Sequence, residues 1–436
     1  MSNPYIPNTE EDRRAMLATI GVGTAGELFA DIPSQHRNPA LNLPPPLSEP
    51  ELRRELSQMA AANRPAGEMP CFLGAGAYRH FIPSVVHHVI SRGEFATAYT
   101  PYQPEISQGT LQTVFEFQSL VCELTGMDVS NASMYDGASA LTEACLMAAA
   151  ITGRGRVALL STIHPHYEAV LRTYAAGRKL AVDVMEPADV ALSAEHVCLV
   201  VQQPDFFGYL EDVTALAEKA RAVGALYIVA ADPISLGLFR PPGGYGADVV
   251  VAEGQSLGIP LSFGGPYLGI FAARDKYVRQ MPGRIVGRTA DSEGRTGYVL
   301  TLQTREQHIR RERATSNICS NEQLVALAAT VYLCALGRQG LRRVAELCYH
   351  KAHYAAEAIA ALPGYSLPLE GTFFKEFVVR CPRPPQETNA ALLERGIIGG
   401  LDVSDRIEKG MLLCVTEMNS RQEIDGLVTA LSEVGS

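Results

Sequence analysis

Between about Ala66 and Asn317 the chain alternates two hydrophobic periods. Short apolar runs, "RVALLS", "HVCLVVQQ", "ALYIVAAD", "DVVVAE" and "LGIFAAR", are separated by "ALTEACLMAAAI", "HYEAVLRTYAA" and "DVTALAEKARAVG", whose apolar residues recur at helical spacing. Runs this short and this unbroken read as strands buried on both faces, and a helix between successive strands is the crossover a parallel sheet requires. The pattern predicts an α/β lobe with a large, mainly parallel sheet. From about Ser320 a long helix leads into "EFVVRCP", "ETNAALLERG", "GMLLCVTE" and "SRQEIDGLVTALSEV", a smaller C-terminal α/β lobe. Upstream, "NPALNLPPPLSEPELRREL" cannot run as one helix, because proline lacks the N–H and fixes φ. The expected division is an N-terminal arm over 1–65, a large domain over 66–319 and a small domain over 320–436. At 436 residues the chain exceeds the roughly 250–300 at which one core stops growing, which agrees with more than one lobe.

Composition narrows the function classes. A net charge of −10 leaves no concentration of Lys and Arg to neutralise a phosphate backbone, so nucleic acid is not an expected partner. Nine cysteines in an odd, scattered set without a CxxC pair fit reduced thiols in a cytoplasmic chain, and no metal site is expected. The N-terminus lacks the order of a signal peptide, and the apolar run "LVALAATVYLCALG" (324–337) is too short to span a bilayer, so it reads as a buried helix and no membrane is expected. Gly21, Gly23 and Gly26 satisfy G-x-G-x-x-G, but they follow a charged helical segment rather than a strand, which excludes a dinucleotide site.

The large lobe carries a more coherent series. "YDGASALTEA" sets Gly137, Ala138 and Ser139 at a helix start, where free N–H groups and the dipole suit a phosphate, although an Asp or Ser N-cap explains the same residues. "STIHPHYEAV" places His164 and His166 between a strand and a helix, where a ring could stack on an aromatic cofactor or be a plain loop residue. "YIVAADP" ends a strand on Asp232, from which a carboxylate could pair with a pyridinium nitrogen or simply be solvated. "GADVVVAEGQSLG" then supplies a strand and a glycine-rich turn, the setting for an imine-forming lysine. No lysine occurs between Lys219 and Lys276, and Gln255 and Ser256 stand in the expected place, where neither can form an imine.

This succession resembles the large domain of fold-type I pyridoxal-phosphate-dependent enzymes. "YTPYQPEISQGTLQTVFEFQSLVCELTGMDVSNASMYDGASALTEA" (99–144), "AEGQSLGIPLSFGGPYLG" and "RERATSNICSNEQL" together resemble the glycine decarboxylase P-protein family, in the alpha-subunit (subunit 1) form of the split enzyme. The resemblance implies a glycine dehydrogenase of the glycine cleavage system that is not active alone. Its partner would be a beta subunit (subunit 2) holding pyridoxal phosphate covalently, in an α2β2 heterotetramer. The reaction would decarboxylate glycine and pass the aminomethyl group to the lipoamide of H-protein. It further implies that Tyr99, Tyr102, Gln103, Glu105, Ser107 and Gln108 line the shared catalytic site, and that Thr315, with Ser316 and Asn317 beside it, reaches the partner's cofactor phosphate. A proline-rich interface loop is the plain alternative for the first group, and at least two of Arg310, Arg311 and Arg313 read as a solvated helix face. The alternative function is an inert scaffold or regulatory subunit on the same fold.

Overall fold

The computed structural model describes residues 5–435 apart from Thr315, Cys319 and Ser320. The chain divides into two units, 1–64 and 65–436. In the first unit, helix Glu10–Ile20 starts at a Thr9/Asp12 capping box. Helix Glu49–Ala61 follows the prolines, with Glu51 accepting from the Ser48 N–H at 2.9 Å. Neither helix buries a residue.

The second unit is built on a seven-stranded sheet: β1 (Val129–Ser130), β2 (Arg156–Leu160), β3 (Ala181–Met185), β4 (His196–Gln203), β5 (Leu226–Ala231), β6 (Val249–Glu253) and β7 (Gly269–Ala273). The order across the sheet is β1-β7-β6-β5-β4-β2-β3. Strands β2 to β6 pair in parallel, while β7 runs antiparallel to both β6 and β1. The two faces divide the apolar runs residue by residue. Tyr227, Val229 and Ala231 of β5 enter one core with Phe117 and Val121 of helix Gln108–Thr125. Leu226, Ile228 and Ala230 enter the other, with Leu141, Ala144 and Met147 of helix Gly137–Thr152. A strand whose side chains alternate between two buried faces must be apolar throughout, which is why these segments show no polar alternation.

A two-stranded ribbon follows, β8 (Ile285–Ala290) and β9 (Thr296–Thr301), and then a three-stranded antiparallel sheet of β10 (Glu376–Arg380), β11 (Leu401–Asp402) and β12 (Gly410–Cys414), in the order β10-β12-β11. Helix Arg421–Gly435 sends Ile424, Leu427 and Leu431 into the core of this small sheet.

The helical run Gln323–Ala360 is much longer than the apolar stretch read from sequence, and by length and composition it could cross a membrane; 44% of its most apolar window is buried within the unit. It is not one helix. Gly337 breaks it with φ 60° and ψ −177°, a backbone state essentially confined to glycine. Nothing lies within 4 Å of a β-carbon added there, so backbone strain alone should decide the substitution. Gly337→Ala, which would stabilise a regular helix interior by about 0.5–1 kcal/mol, should here destabilise by roughly 1–3 kcal/mol. Urea unfolding midpoints of the two proteins check the sign.

Candidate active site

In an open parallel sheet, ligands bind beyond the carboxyl ends of the strands, because the loops there converge and the helix N-termini point at them. Here His164 follows β2, Asp205 follows β4, Asp232 follows β5 and Gln255 with Ser256 follows β6. The register sets these ends side by side: Gln203 pairs with Ala231, and Ala231 with Ala252. The residues singled out in the sequence series therefore do meet in one place.

All but Ser256 already have a side-chain or backbone partner within the chain. Asp232 lies 2.6 Å from the ammonium of Lys375, which is 1% exposed and belongs to the segment entering β10. Its other oxygen accepts from the Ile234 and Ser235 N–H groups at 2.9 and 3.3 Å. His164 accepts the His166 N–H on Nδ1 (3.0 Å) and therefore donates from Nε2 to the Ala75 carbonyl (2.9 Å). Its ring stacks on Tyr167, with Phe206 at its edge. Burial lowers its pKa and agrees with this neutral ring. Gln255 accepts the Tyr78 N–H at 2.7 Å and donates to the Tyr78 and Ile259 carbonyls at 2.9 and 2.8 Å. Ser256 is 2% exposed, and its hydroxyl has no hydrogen-bond partner among the described residues. At the helix start, Ser139 N–H is capped by Asp136 at 2.7 Å, and Gly137 N–H is held by Glu253 at 3.0 Å. The N-cap explanation of that segment is thus realised, and a carboxylate stands at the helix N-terminus.

The segment from Pro70 to Phe81 makes this closure. It pairs with the small sheet through the Phe72 carbonyl and the Cys414 N–H (2.8 Å), and Glu376 accepts from the Ala75 N–H (2.6 Å) and the Tyr78 hydroxyl (2.7 Å). The Lys375 ammonium sits 3.5 Å from the centre of the Tyr78 ring and 3.3 Å from His80 Nε2. Because the ammonium only donates, His80 accepts on Nε2 and passes its Nδ1–H to Glu417 at 2.7 Å. His80, Cys348 and Glu417 are close enough together for a metal, but the ammonium on the far side of the imidazole opposes a second cation there. At Gly76, φ is +99° and an added β-carbon would lie 2.8 Å from His164 Nε2, so the segment can cross the histidine only as glycine.

A second cluster surrounds the expected catalytic loop. Tyr99 and Tyr102 are exposed, 86% and 56%, and Gln103 and Glu105 are exposed as well, while Ser107 is half-buried. Gln108 differs from its neighbours: its amide accepts the Tyr298 N–H and donates to the Tyr298 and Pro104 carbonyls, so it fixes the loop to β9. Beneath the loop, Arg284 lies 5.7 Å from the Tyr102 ring and 3.4 Å from the Thr100 hydroxyl. Arg284 also faces Glu306 at 3.8 Å, Glu306 faces His308 at 3.4 Å, and His308 sits edge-on to Tyr102. Ser316 is buried, bonds Glu143, and lines a small cavity with Glu306 and Gly283. Asn317 is exposed, as are Arg310, Arg311 and Arg313; Thr315 lies outside the described residues. The structure thus brings Tyr102, Glu306 and His308 together around Arg284.

Sequence reasoning missed Tyr78, Lys375, Glu376, Arg284, Glu306 and His308. Two signals were present: Gly-Ala-Gly in "LGAGAYRH", and an adjacent Lys and Glu inside the apolar run "TFFKEFVV".

Comparison with known proteins agrees with this arrangement. The profile of the glycine cleavage system P-protein family matches residues 3–431. A protein of Thermomicrobium roseum described as a probable glycine dehydrogenase (decarboxylating) subunit 1 is 57% identical, over 98% of this chain and 99% of its own length. A crystal structure of an inhibitor-bound glycine decarboxylase (P-protein) superimposes with a TM-score of 0.93 at 44% identity, covering all of both chains. A Lactobacillus brevis glutamate decarboxylase shares the fold alone, with a TM-score of 0.64 and 12% identity over 94% of this chain and 96% of that one. The architecture is that of the fold-type I pyridoxal-phosphate enzymes.

Three carboxyls at the strand ends carry a pH dependence. Burial raises the pKa of Asp205, Glu253 and Glu376 to about 7 each. At these three groups the folded state therefore holds more protons than the unfolded chain between the ordinary carboxylate range and about pH 7, and their contribution to stability should fall as pH rises through that window. For Glu376, a shift from 4.5 to about 7 corresponds to roughly 3 kcal/mol. Glu376→Gln should shrink the difference between urea midpoints at pH 5 and pH 8; an unchanged difference would place the proton uptake elsewhere.

Proposed function

This chain belongs to the glycine cleavage system P-protein family, and we propose that it is subunit 1 of a split glycine dehydrogenase (decarboxylating), completing an active site whose cofactor is held by a second, lysine-bearing subunit. Pyridoxal phosphate supplies the electron sink that lets carbon dioxide leave glycine. The crevice of this chain does not fit that cofactor: its acid is paired, its histidine is stacked on Tyr167 and bonded to the Ala75 carbonyl, and its lysine position is taken by Gln255 and Ser256. The contribution of this chain lies instead on its exposed loop.

The observation that carries this reading is the contrast within 99–108. Tyr99, Tyr102, Gln103 and Glu105 present rings, an amide and a carboxylate to solvent, yet the loop is anchored through Gln108 on β9 and Arg284 beneath Tyr102. A loop that is fixed at its base and polar at its tip can orient a partner's substrate at little entropic cost. In this reading Tyr99 and Tyr102 wall the site and exclude water. Glu105, Gln103 and Ser107 supply acceptors and donors for glycine or for the lipoamide arm of H-protein, and Gln108 positions the loop. The family resemblance assigns Thr315 to the partner's phosphate, with the exposed Asn317 beside it, while the buried Ser316 is bonded to Glu143; the assembly is α2β2.

An inert supporting subunit would have the same closed crevice but no need of these side chains. Tyr102→Phe and Glu105→Gln nearly preserve shape and remove one polar group each. In the complex reconstituted with subunit 2 and saturating H-protein, each should lower glycine decarboxylation by about 10²-fold with no change in complex size. Near-normal turnover of both would leave this chain a structural half.

A further inference from the structure

We propose that the lysine-less crevice of this chain is plugged by the chain itself with a charge-matched set of groups, a carboxylate, an ammonium and a backbone segment standing at the three points where a pyridoxal phosphate would be held. The crevice is then an internal joint between the large and small sheets and takes no cofactor.

The first point is the N-terminus of helix Gly137–Thr152. Its N–H groups are the natural seat of a phosphate, but Gly137 donates to Glu253 and Ser139 to Asp136, so two carboxylates already face the dipole. Glu253 is held in turn by the Gln255 and Leu268 N–H groups, both at 3.0 Å, so a phosphate arriving there would find the donors already taken by carboxyl oxygens. The second point is Asp232, whose carboxylate would favour a protonated ring nitrogen. Lys375 fills that role with its own cation at 2.6 Å, and backbone N–H groups occupy the other oxygen. The third is the face of His164, where an aromatic ring would stack. Gly76 passes so close that a single added carbon would sit 2.8 Å from Nε2, and Ala75 accepts the Nε2–H. At the lysine position, the amide of Gln255 clasps the backbone of Tyr78 from both sides.

Sign matches sign at each ionic point, acid where phosphate would lie and base where the pyridinium would lie. That match accounts for an otherwise costly feature, a lysine and several carboxyls buried together. The plug also ties the two sheets, since Lys375 and Glu376 enter the small sheet while Asp232, Glu253 and Gln255 leave the large one. Lys375 is an amine inside this crevice, so among the described residues it is the side chain there that could have replaced the missing imine lysine. Its ammonium is committed to Asp232, His80 and the Tyr78 ring. Burial, the largest single effect, works against its charge, but Asp232 together with Cys414 and Cys348 outweighs it and keeps its pKa above the ordinary lysine value.

The inference stands on the chain's own crevice and not on the loop 99–108, so full turnover of the loop variants would leave it intact. Two measurements test it. The full-length chain, alone and with subunit 2, is dialysed against pyridoxal phosphate, reduced with borohydride and mapped by peptide mass. No pyridoxyl group on Lys375 and no equivalent of cofactor retained by this chain alone are expected; either one overturns the plug. A cycle of Lys375→Met, Asp232→Asn and the double variant is then unfolded in urea. Each single change should lower the folding constant about 100-fold or more, because it strands a buried charge or dipole. The double should recover at least about tenfold relative to the product of the singles. Multiplicative singles would show that Lys375 and Asp232 do not act as a pair and would overturn the proposal. The dialysis arm decides the question even where a single variant fails to fold.

Discussion

The buried ion pair between Lys375 and Asp232 is the constraint on which the rest of the second unit is arranged. Two charges taken out of water repay their desolvation only when every remaining donor and acceptor finds a partner. That requirement fixes the surroundings in turn: the Ile234 and Ser235 N–H groups on Asp232, the Tyr78 ring against the ammonium, His80 as its acceptor and Glu417 as the acceptor for His80. These groups come from three separate stretches of chain, 78–80, 234–235 and the loop holding Glu417. Satisfying one charge therefore locks the turn after β5, the 70–81 segment, the entry to β10 and the loop after β12 into one geometry. A pair of this kind contributes specificity of arrangement more than net stability, since a well-packed apolar replacement could be as stable.

The closed crevice and the open loop are two consequences of one sheet. The carboxyl ends of β2, β4, β5 and β6 converge as they do in any doubly wound sheet, and in this chain the convergence is spent on internal bonds. What remains exposed and polar lies before helix Gln108–Thr125, anchored by Gln108 and Arg284. Arg284 and Glu306 are both nearly buried, and they draw His308 and the Tyr102 ring to one spot.

The runs of β2, β4, β5, β6 and β7, the helices Gly137–Thr152, Pro165–Arg178 and Val213–Ala222, and the proline-broken N-terminal stretch were legible because each follows from local sequence. "ALYIVAAD" is β5 because six consecutive apolar residues can satisfy two buried faces at once. The break at Gly337 was not legible, since a lone glycine in an apolar helical pattern gives no sign of its φ. The antiparallel turn of β7 was equally hidden, because apolar strands look alike in either direction.

Sequence alone determined that this chain has no imine lysine after β6 and that His164, Asp232, Gln255 and Ser256 occupy the strand ends, since those facts depend on identity and order along the chain. Only the tertiary structure decided what the strand ends do. Asp232 and Lys375 are far apart in sequence, as are Tyr78 and Gln255, and no periodicity or propensity encodes a contact across that separation. Whether a carboxylate at a strand end waits for a ligand or is already neutralised is a matter of which distant cation the fold carries to it. Here the fold brings one to 2.6 Å.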